Sequence, residues 1–257
     1  MVAAEAPDIV VNAAAYTAVD GAETDIDRAH AVNAVAVDKL AHATLARGAL
    51  LIHYSTDYVF DGLKTTAYCE SDATNAVSVY GKTKCAADEA ILASGCQHLI
   101  FRTSWVHAAR GNNFVRKILE LATEKSSLAI VADQFGAPTS AELLADITAI
   151  AVARHKSSLA LPSGLYHLTA SGSASWHEFA RFILSQALLR GYDLKARPET
   201  VVPISSSEFK AAAPRPRNSV MDTSKLSSAL NITFPDWTHH VRRTVLEILE
   251  GRSSRRA

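Results

Sequence analysis

Short apolar runs alternate with stretches of helical period along most of this chain, and that alternation constrains its fold more than any other feature. Asp8–Ala15 (D-I-V-V-N-A-A-A), Ala49–Thr56 (A-L-L-I-H-Y-S-T), His98–Trp105 (H-L-I-F-R-T-S-W) and Ser127–Asp133 (S-L-A-I-V-A-D) read as strands. Near-continuous apolar runs of this kind suit strands in a parallel sheet covered by helices. The segments between them carry the helical pattern. Asp25–Arg47 places Ala29, Val32, Val35, Val37, Leu40, Ala41 and Leu45 at helical spacing, and Gly48 is its stop. Further helices are expected from Ser78 to Ala93, Asn112 to Glu124 and Leu143 to Arg154. Strand and helix in alternation predict an α/β protein built on a doubly wound parallel sheet.

Beyond Ser157 the character changes. G-L-Y-H-L-T is a short strand, W-H-E-F-A-R-F-I-L-S-Q-A-L-L an amphipathic helix, and Thr238–Glu250 a final helix. Pro198, Pro203, Pro214 and Pro216 interrupt the chain between them, which argues for an irregular lobe. The expected division is residues 1–156 for a Rossmann-like nucleotide-cofactor domain and 157–257 for a smaller substrate-binding lobe. The length of 257 residues suits such a pair, and the 48% hydrophobic fraction is ample for a core. Basic and acidic side chains balance at 26 each, so no global field draws nucleic acid or an anionic membrane. No apolar stretch is long enough to span a bilayer, and the first residues lack the pattern of a signal peptide. Cys69, Cys85 and Cys96 share no metal-like spacing and read as reduced thiols, which predicts a cytoplasmic protein. The ten histidines are scattered, and none reads as a metal ligand. The basic end G-R-S-S-R-R-A reads as a frayed, solvated tail.

Chemistry enters at S-V-Y-G-K-T-K. Tyr80 and Lys84 stand four residues apart on the expected helix, so phenol and ammonium lie on one side, one turn apart. A cation beside a phenol stabilises the phenolate, so the Tyr80 pKa is expected to fall toward neutrality. A tyrosine tuned in that way donates a proton to a carbonyl oxygen as hydride reaches the carbon. Ser55-Thr56, Asn12–Ala15 and Thr103–Trp105 all end strands at the carboxyl edge of the sheet, where open α/β folds bind ligands. The bland readings stand beside these. The tyrosine–lysine spacing also arises by chance, Thr56 can cap a strand end, Trp105 can be a core aromatic, and Tyr58 can pack under its loop. Arg215, Arg217 and Lys225 suit a diphosphate, but equally a solvated, Pro-rich loop.

Six blocks in order carry a resemblance over nearly the whole chain. They are N-A-A-A-Y-T-A-V-D at 12–20, S-T-D-Y-V-F-D-G at 55–62, V-Y-G-K-T-K at 79–84, R-T-S-W-V at 102–106, D-Q-F-G-A-P-T at 133–139 and R-P-R-N-S-V-M-D-T-S-K-L at 215–226. With them the chain resembles the extended short-chain dehydrogenase/reductase family. The resemblance implies NADPH or NADH as hydride donor, a dTDP-4-keto-6-deoxy-hexose as acceptor and dTDP-L-rhamnose as product. By the same resemblance Tyr80 is the catalytic acid, and Lys84 is its partner and a holder of the nicotinamide ribose. Thr56 and Asp57 contact the sugar nucleotide, with Thr56 on the reacting carbonyl. Ala15, Tyr16 and Thr17 line the cofactor, and Trp105 packs on the sugar. A homodimer is compatible with the resemblance. The family can also carry magnesium at a subunit contact, for which no ligands match here. Two alternatives remain: a non-catalytic regulatory subunit on the same fold, and an epimerase or dehydratase acting on another nucleotide sugar.

One departure stands out. A dinucleotide-binding fold opens with a strand, a glycine-rich turn and a helix whose N-terminus holds the pyrophosphate, about fifty residues that have no match in this sequence. The expected sheet is therefore incomplete, with Asp8–Ala15 as an exposed edge. Cofactor affinity is expected to be severely reduced, and this polypeptide by itself inactive or nearly so, with a misplaced start codon as the favoured cause.

Overall fold

The computed structural model describes residues 2–253. They group into two compact units that interleave along the chain. The first takes the chain up to Thr103, then Ile147–Leu168 and Ala211–Ile232; the second takes Ser104–Asp146, Thr169–Lys210 and the described residues from Thr233 on.

The first unit is built on a four-stranded parallel sheet. Its strands are β1 (Ile9–Asn12), β2 (Leu50–Thr56), β3 (His98–Thr103) and, after the second unit's strand β4 (Leu128–Val131), β5 (Gly164–His167). The order across the sheet is β1-β2-β3-β5. G-L-Y-H, read from sequence as part of the C-terminal lobe, thus pairs with β3, Arg102 opposite His167. The edge at β1 leaves Val11 45% exposed. Helix α1 runs as Ile26–His30, a π-helical turn Ala31–Val35 and Ala36–Arg47. Gly48 ends it in the left-handed conformation that a glycine adopts without strain. Helix α2 (Val79–Ser94) starts on the Ser78 hydroxyl, which accepts from Gly81 N at 3.1 Å.

Both helices pack on one face of the sheet. Val37 and Ala41 of α1 and Ala87 and Ile91 of α2 bury against Leu51, Ile100 and Leu165. Successive residues of a strand point to opposite faces, so His53 shares the helix-covered side with Leu51, and Tyr54 faces away. On that other side the Tyr54 hydroxyl meets the Thr148 hydroxyl of α4 (Ala141–Arg154) at 2.6 Å.

The second unit pairs β4 with β6 (Val201–Ile204) in parallel. Its core joins helices α3 (Phe114–Glu124), α5 (Trp176–Leu188) and α6 (Trp237–Ser253) through Val115, Ile118, Leu119, Phe179, Ile183, Leu184, Val241 and Val245. Helix α5 opens on a capping box: Ser175 Oγ accepts from Glu178 N at 3.1 Å, and Glu178 Oε2 accepts from Ser175 N at 2.7 Å. The basic tail expected from sequence lies, beyond Ser253, outside the described residues. No helix among the described residues is long and apolar enough to cross a membrane.

Candidate active site

Strand β2 delivers Ser55, Thr56 and Asp57, all buried, to the carboxyl edge of the sheet. The chain then turns through a single 3₁₀ turn, Asp57–Val59. Thr56 caps that turn: its hydroxyl accepts from Tyr58 N at 3.2 Å and donates to Asp57 Oδ1 at 3.0 Å. The capping reading of Thr56 therefore holds in this structure, and its donor must leave Asp57 before it can serve a ligand. Helix α2 abuts the same turn. A Cβ on Gly81 would lie 2.2 Å from the Tyr58 carbonyl oxygen, so only glycine allows this approach. Glu23 completes the helix start, accepting from Val79 N at 2.8 Å where a carboxylate meets the positive end of the helix.

From that start α2 presents Tyr80, Lys84 and Asp88 one turn apart on one stripe. Lys84 is only 1% exposed. Its Nζ donates to the Tyr54 carbonyl at 2.7 Å and lies 2.9 Å from His53 Nε2. His53 Nδ1 in turn lies 3.0 Å from Asn12 Nδ2. Asp88 is buried in an ion pair with Arg102 of β3, Nε to Oδ2 3.0 Å, and that guanidinium sits over the Phe60 ring.

The expected fall in the Tyr80 pKa is not what this arrangement produces. Burial pushes the phenol up to about 12, a hydrogen bond shared with Thr56 opposes it, and the Asp57 and Asp88 carboxylates push the same way as burial. The lysine is engaged by His53 and Tyr54 instead, and burial brings it down to about 8 against the pull of Asp88. His53 is held well below its ordinary range, first by burial and then by Lys84. A phenol of this kind keeps its proton at neutral pH, which is the form a reduction requires of its acid.

Ala15, Tyr16 and Thr17 follow the end of β1, which stops at Asn12 rather than at Ala15. Asn33, buried in the π turn of α1, holds this segment through both backbone groups of Tyr16, at 2.8 Å from N and 3.1 Å from O. The same amide donates to Thr83 Oγ1 of α2 at 3.1 Å. One side chain thus joins the expected cofactor segment to the helix of Tyr80 and Lys84. Tyr58 meets Tyr80 edge to face at 6.0 Å. Arg215 is not a solvated loop residue: it is 17% exposed, donates to Asp20 Oδ2 at 2.8 Å and hydrogen-bonds Tyr58.

Trp105 belongs to the second unit and has a left-handed backbone, φ 46°. Its ring stacks on Trp176 with centroids 3.5 Å apart, and a Cβ on Gly136 would fall 2.5 Å from it. One broad face of the indole is therefore taken by Trp176, and Gly136 approaches its pyrrole–benzene junction closely enough that no side chain fits there.

His53, Asp88, Arg102 and Asn33 escaped the sequence reading of the site. A polar residue inside L-L-I-H-Y-S-T and an acid one turn beyond Lys84 were the available signals. Among the described residues no group of three or more His, Cys, Asp or Glu side chains is placed to hold a metal ion.

Comparisons with known proteins identify the family of the chain. The family model described as the RmlD substrate binding domain matches residues 1–250. The chain is similar to the dTDP-4-dehydrorhamnose reductase of Shigella flexneri, 46% identical over 244 residues, which are 94% of this chain and 80% of the relative. It is also similar to the enzyme of that name from Burkholderia thailandensis, 46% identical over 95% of this chain and 83% of the relative. Among solved structures, the dTDP-4-dehydrorhamnose reductase of Bacillus anthracis in complex with NADP superposes with a TM-score of 0.86 at 34% identity, covering 96% of this chain and 83% of that one. The chain belongs to the RmlD substrate binding domain family, the family of the dTDP-4-dehydrorhamnose reductases.

Proposed function

We propose that this protein reduces the C4 ketone of dTDP-4-dehydro-L-rhamnose to dTDP-L-rhamnose at the expense of NADPH or NADH. The observation that carries the reading is the helical stripe of half-buried Tyr80 and buried Lys84 beside the carboxyl end of β2, in a chain 46% identical to reductases of that name. The site suits the nicotinamide end of such a cofactor. Thr103 Oγ1, level with Thr56 in the sheet register, is buried with no hydrogen-bond partner.

The reduced nicotinamide supplies hydride to C4. The rest is done by this chain's own residues. Tyr80, protonated at neutral pH, gives its phenolic proton to the C4 oxygen, so the ketone becomes an alcohol and a phenolate remains. Lys84, in its ammonium form, stabilises that phenolate and holds a ribose hydroxyl. Thr56 releases Asp57 and donates to the carbonyl oxygen, which orients it. Ala15, Tyr16 and Thr17 border the cofactor, Asp57 bounds the sugar nucleotide, and Trp105 packs on the sugar. A homodimer is the assembly this reading allows, and sedimentation at working concentration measures it.

The test is oxidation of NADPH with dTDP-4-dehydro-L-rhamnose by this chain preceded by the strand and glycine-rich turn that open a dinucleotide-binding fold, with the sugar product identified. Stoichiometric NADPH consumption and dTDP-L-rhamnose are expected. An epimerase or dehydratase regenerates its cofactor within each cycle, so turnover of a nucleotide sugar without net NADPH loss overturns the reading.

A further inference from the structure

The hydrogens around Lys84 do not fit together in an arbitrary way. The Asn12 amide oxygen accepts from Ala14 N at 3.2 Å, so its NH₂ faces His53 Nδ1 at 3.0 Å. Nδ1 is then an acceptor. A neutral imidazole has one donor and one acceptor, so its proton sits on Nε2. Nε2 lies 2.9 Å from Lys84 Nζ, and the lysine must accept there as a neutral amine while it donates one N–H to the Tyr54 carbonyl at 2.7 Å. An ammonium has no lone pair and cannot accept. For Lys84 to carry its charge, His53 must move its proton to Nδ1, and the Asn12 amide must turn over to accept it. That turn places the amide NH₂ against Ala14 N–H, two donors facing each other.

We infer that Asn12 and His53 are positioning residues that tie the charge of Lys84 to the tautomer of His53: amine with Nε2–H, ammonium with Nδ1–H and a turned Asn12 amide. His53, in β2 on the face packed against α2, and Lys84 are both buried, so bulk water does not come between these two groups, while Asn12 stands half-buried at the outer end. The other groups around Lys84 are named by element. On α2, Tyr80 precedes it by a turn and Asp88 follows by a turn; Asp88 is paired with Arg102 of β3; Tyr54 O comes from β2. Burial disfavours the ammonium and Asp88 favours it; the amide orientation is a further, geometric constraint on the same balance. For the reaction proposed above, the charge that stabilises the phenolate is then controlled from β1, two residues removed from the chemistry.

The inference deepens the reductase reading, and its test needs no turnover, so the two can fail separately. Histidine ring ¹⁵N resonances are recorded on the full chain from pH 6 to 10, with His53 assigned by its disappearance in His53→Gln. The expected result is an exchange of His53 from Nδ1–H to Nε2–H while it stays neutral, with the midpoint of the Lys84 Nζ titration. One tautomer throughout, or a charged imidazolium, overturns the inference. In Asn12→Ala the constraint from the amide is gone, no charge has been added, and the Lys84 equilibrium should move toward ammonium by about threefold to tenfold. An unchanged Lys84 midpoint in that variant overturns it as well.

Discussion

Gly81→Ala offers a test in which local geometry decides the outcome. The added Cβ would stand 2.2 Å from Tyr58 O and 3.0 Å from Ala76 Cβ. An ordinary carbon–oxygen contact is about 3.4 Å, so the first turn of α2 must retreat by roughly 1 Å. The obstacle is backbone, held by the Thr56 cap and the Glu23–Val79 hydrogen bond, and it cannot swing aside as a side chain does. Overpacking of this kind costs about 1–3 kcal/mol, and replacing a helical glycine returns at most about 1 kcal/mol. The net loss of about 1–2 kcal/mol lowers Tm by roughly 2–8 °C in a protein of this size. The displaced turn carries Tyr80 with it, and a misplacement of about 1 Å costs on the order of 10²-fold in rate. Thermal denaturation, and NADPH-coupled turnover in the chain preceded by a glycine-rich phosphate turn, read the two effects. A variant as stable and as active as the parent would refute the close approach of helix and turn.

Other outcomes follow from buried charge. Asp88→Ala leaves the Arg102 guanidinium buried without its carboxylate and should cost about 3–5 kcal/mol in urea unfolding, whereas an exposed pair such as Lys117–Glu120 should cost under about 1 kcal/mol. His107 and His167 are both brought from 6.5 down to about 4, chiefly by burial. Their folded pKa lies below the unfolded one, so the unfolded chain binds more protons between those values. Their contribution is complete above pH 6.5 and is lost as pH falls toward 4, at about 3 kcal/mol each, which denaturant titrations from pH 7 to 4 measure. Ser175→Ala removes the capping box of α5 and should cost about 1 kcal/mol by the same method.

Much of the first sheet was legible because β2 and β3 are nearly unbroken apolar runs, and because Ser78 and Gly48 are chemically explicit helix limits. β1 was read one residue too long at its start and three at its end: Ala13–Ala15 look strand-compatible, yet the Asn12 side chain caps Ala14 N and the chain leaves the sheet there. G-L-Y-H gave no sign of which strands it joins, since pairing across some sixty residues depends on tertiary packing that local pattern does not encode. The tyrosine–lysine stripe was visible as a spacing, but its electrostatics were not. Spacing tells that two side chains share a helix face; it does not tell that burial outweighs their mutual attraction, or that His53 and a carbonyl take the lysine first. Arg215 was hidden for a similar reason, as its partner Asp20 lies 195 residues away in the chain.

The central claim is that the Tyr80 phenol protonates a sugar ketone as hydride arrives. Tyr80→Phe keeps the ring, its edge-to-face contact with Tyr58 and the helix start, and removes only the oxygen that carries the proton. With the fold verified by circular dichroism, and with the chain preceded by a glycine-rich phosphate turn, single-turnover NADPH oxidation with dTDP-4-dehydro-L-rhamnose should slow by about 10²–10⁴-fold relative to the same protein with Tyr80. A rate within a few-fold of the parent would contradict the account.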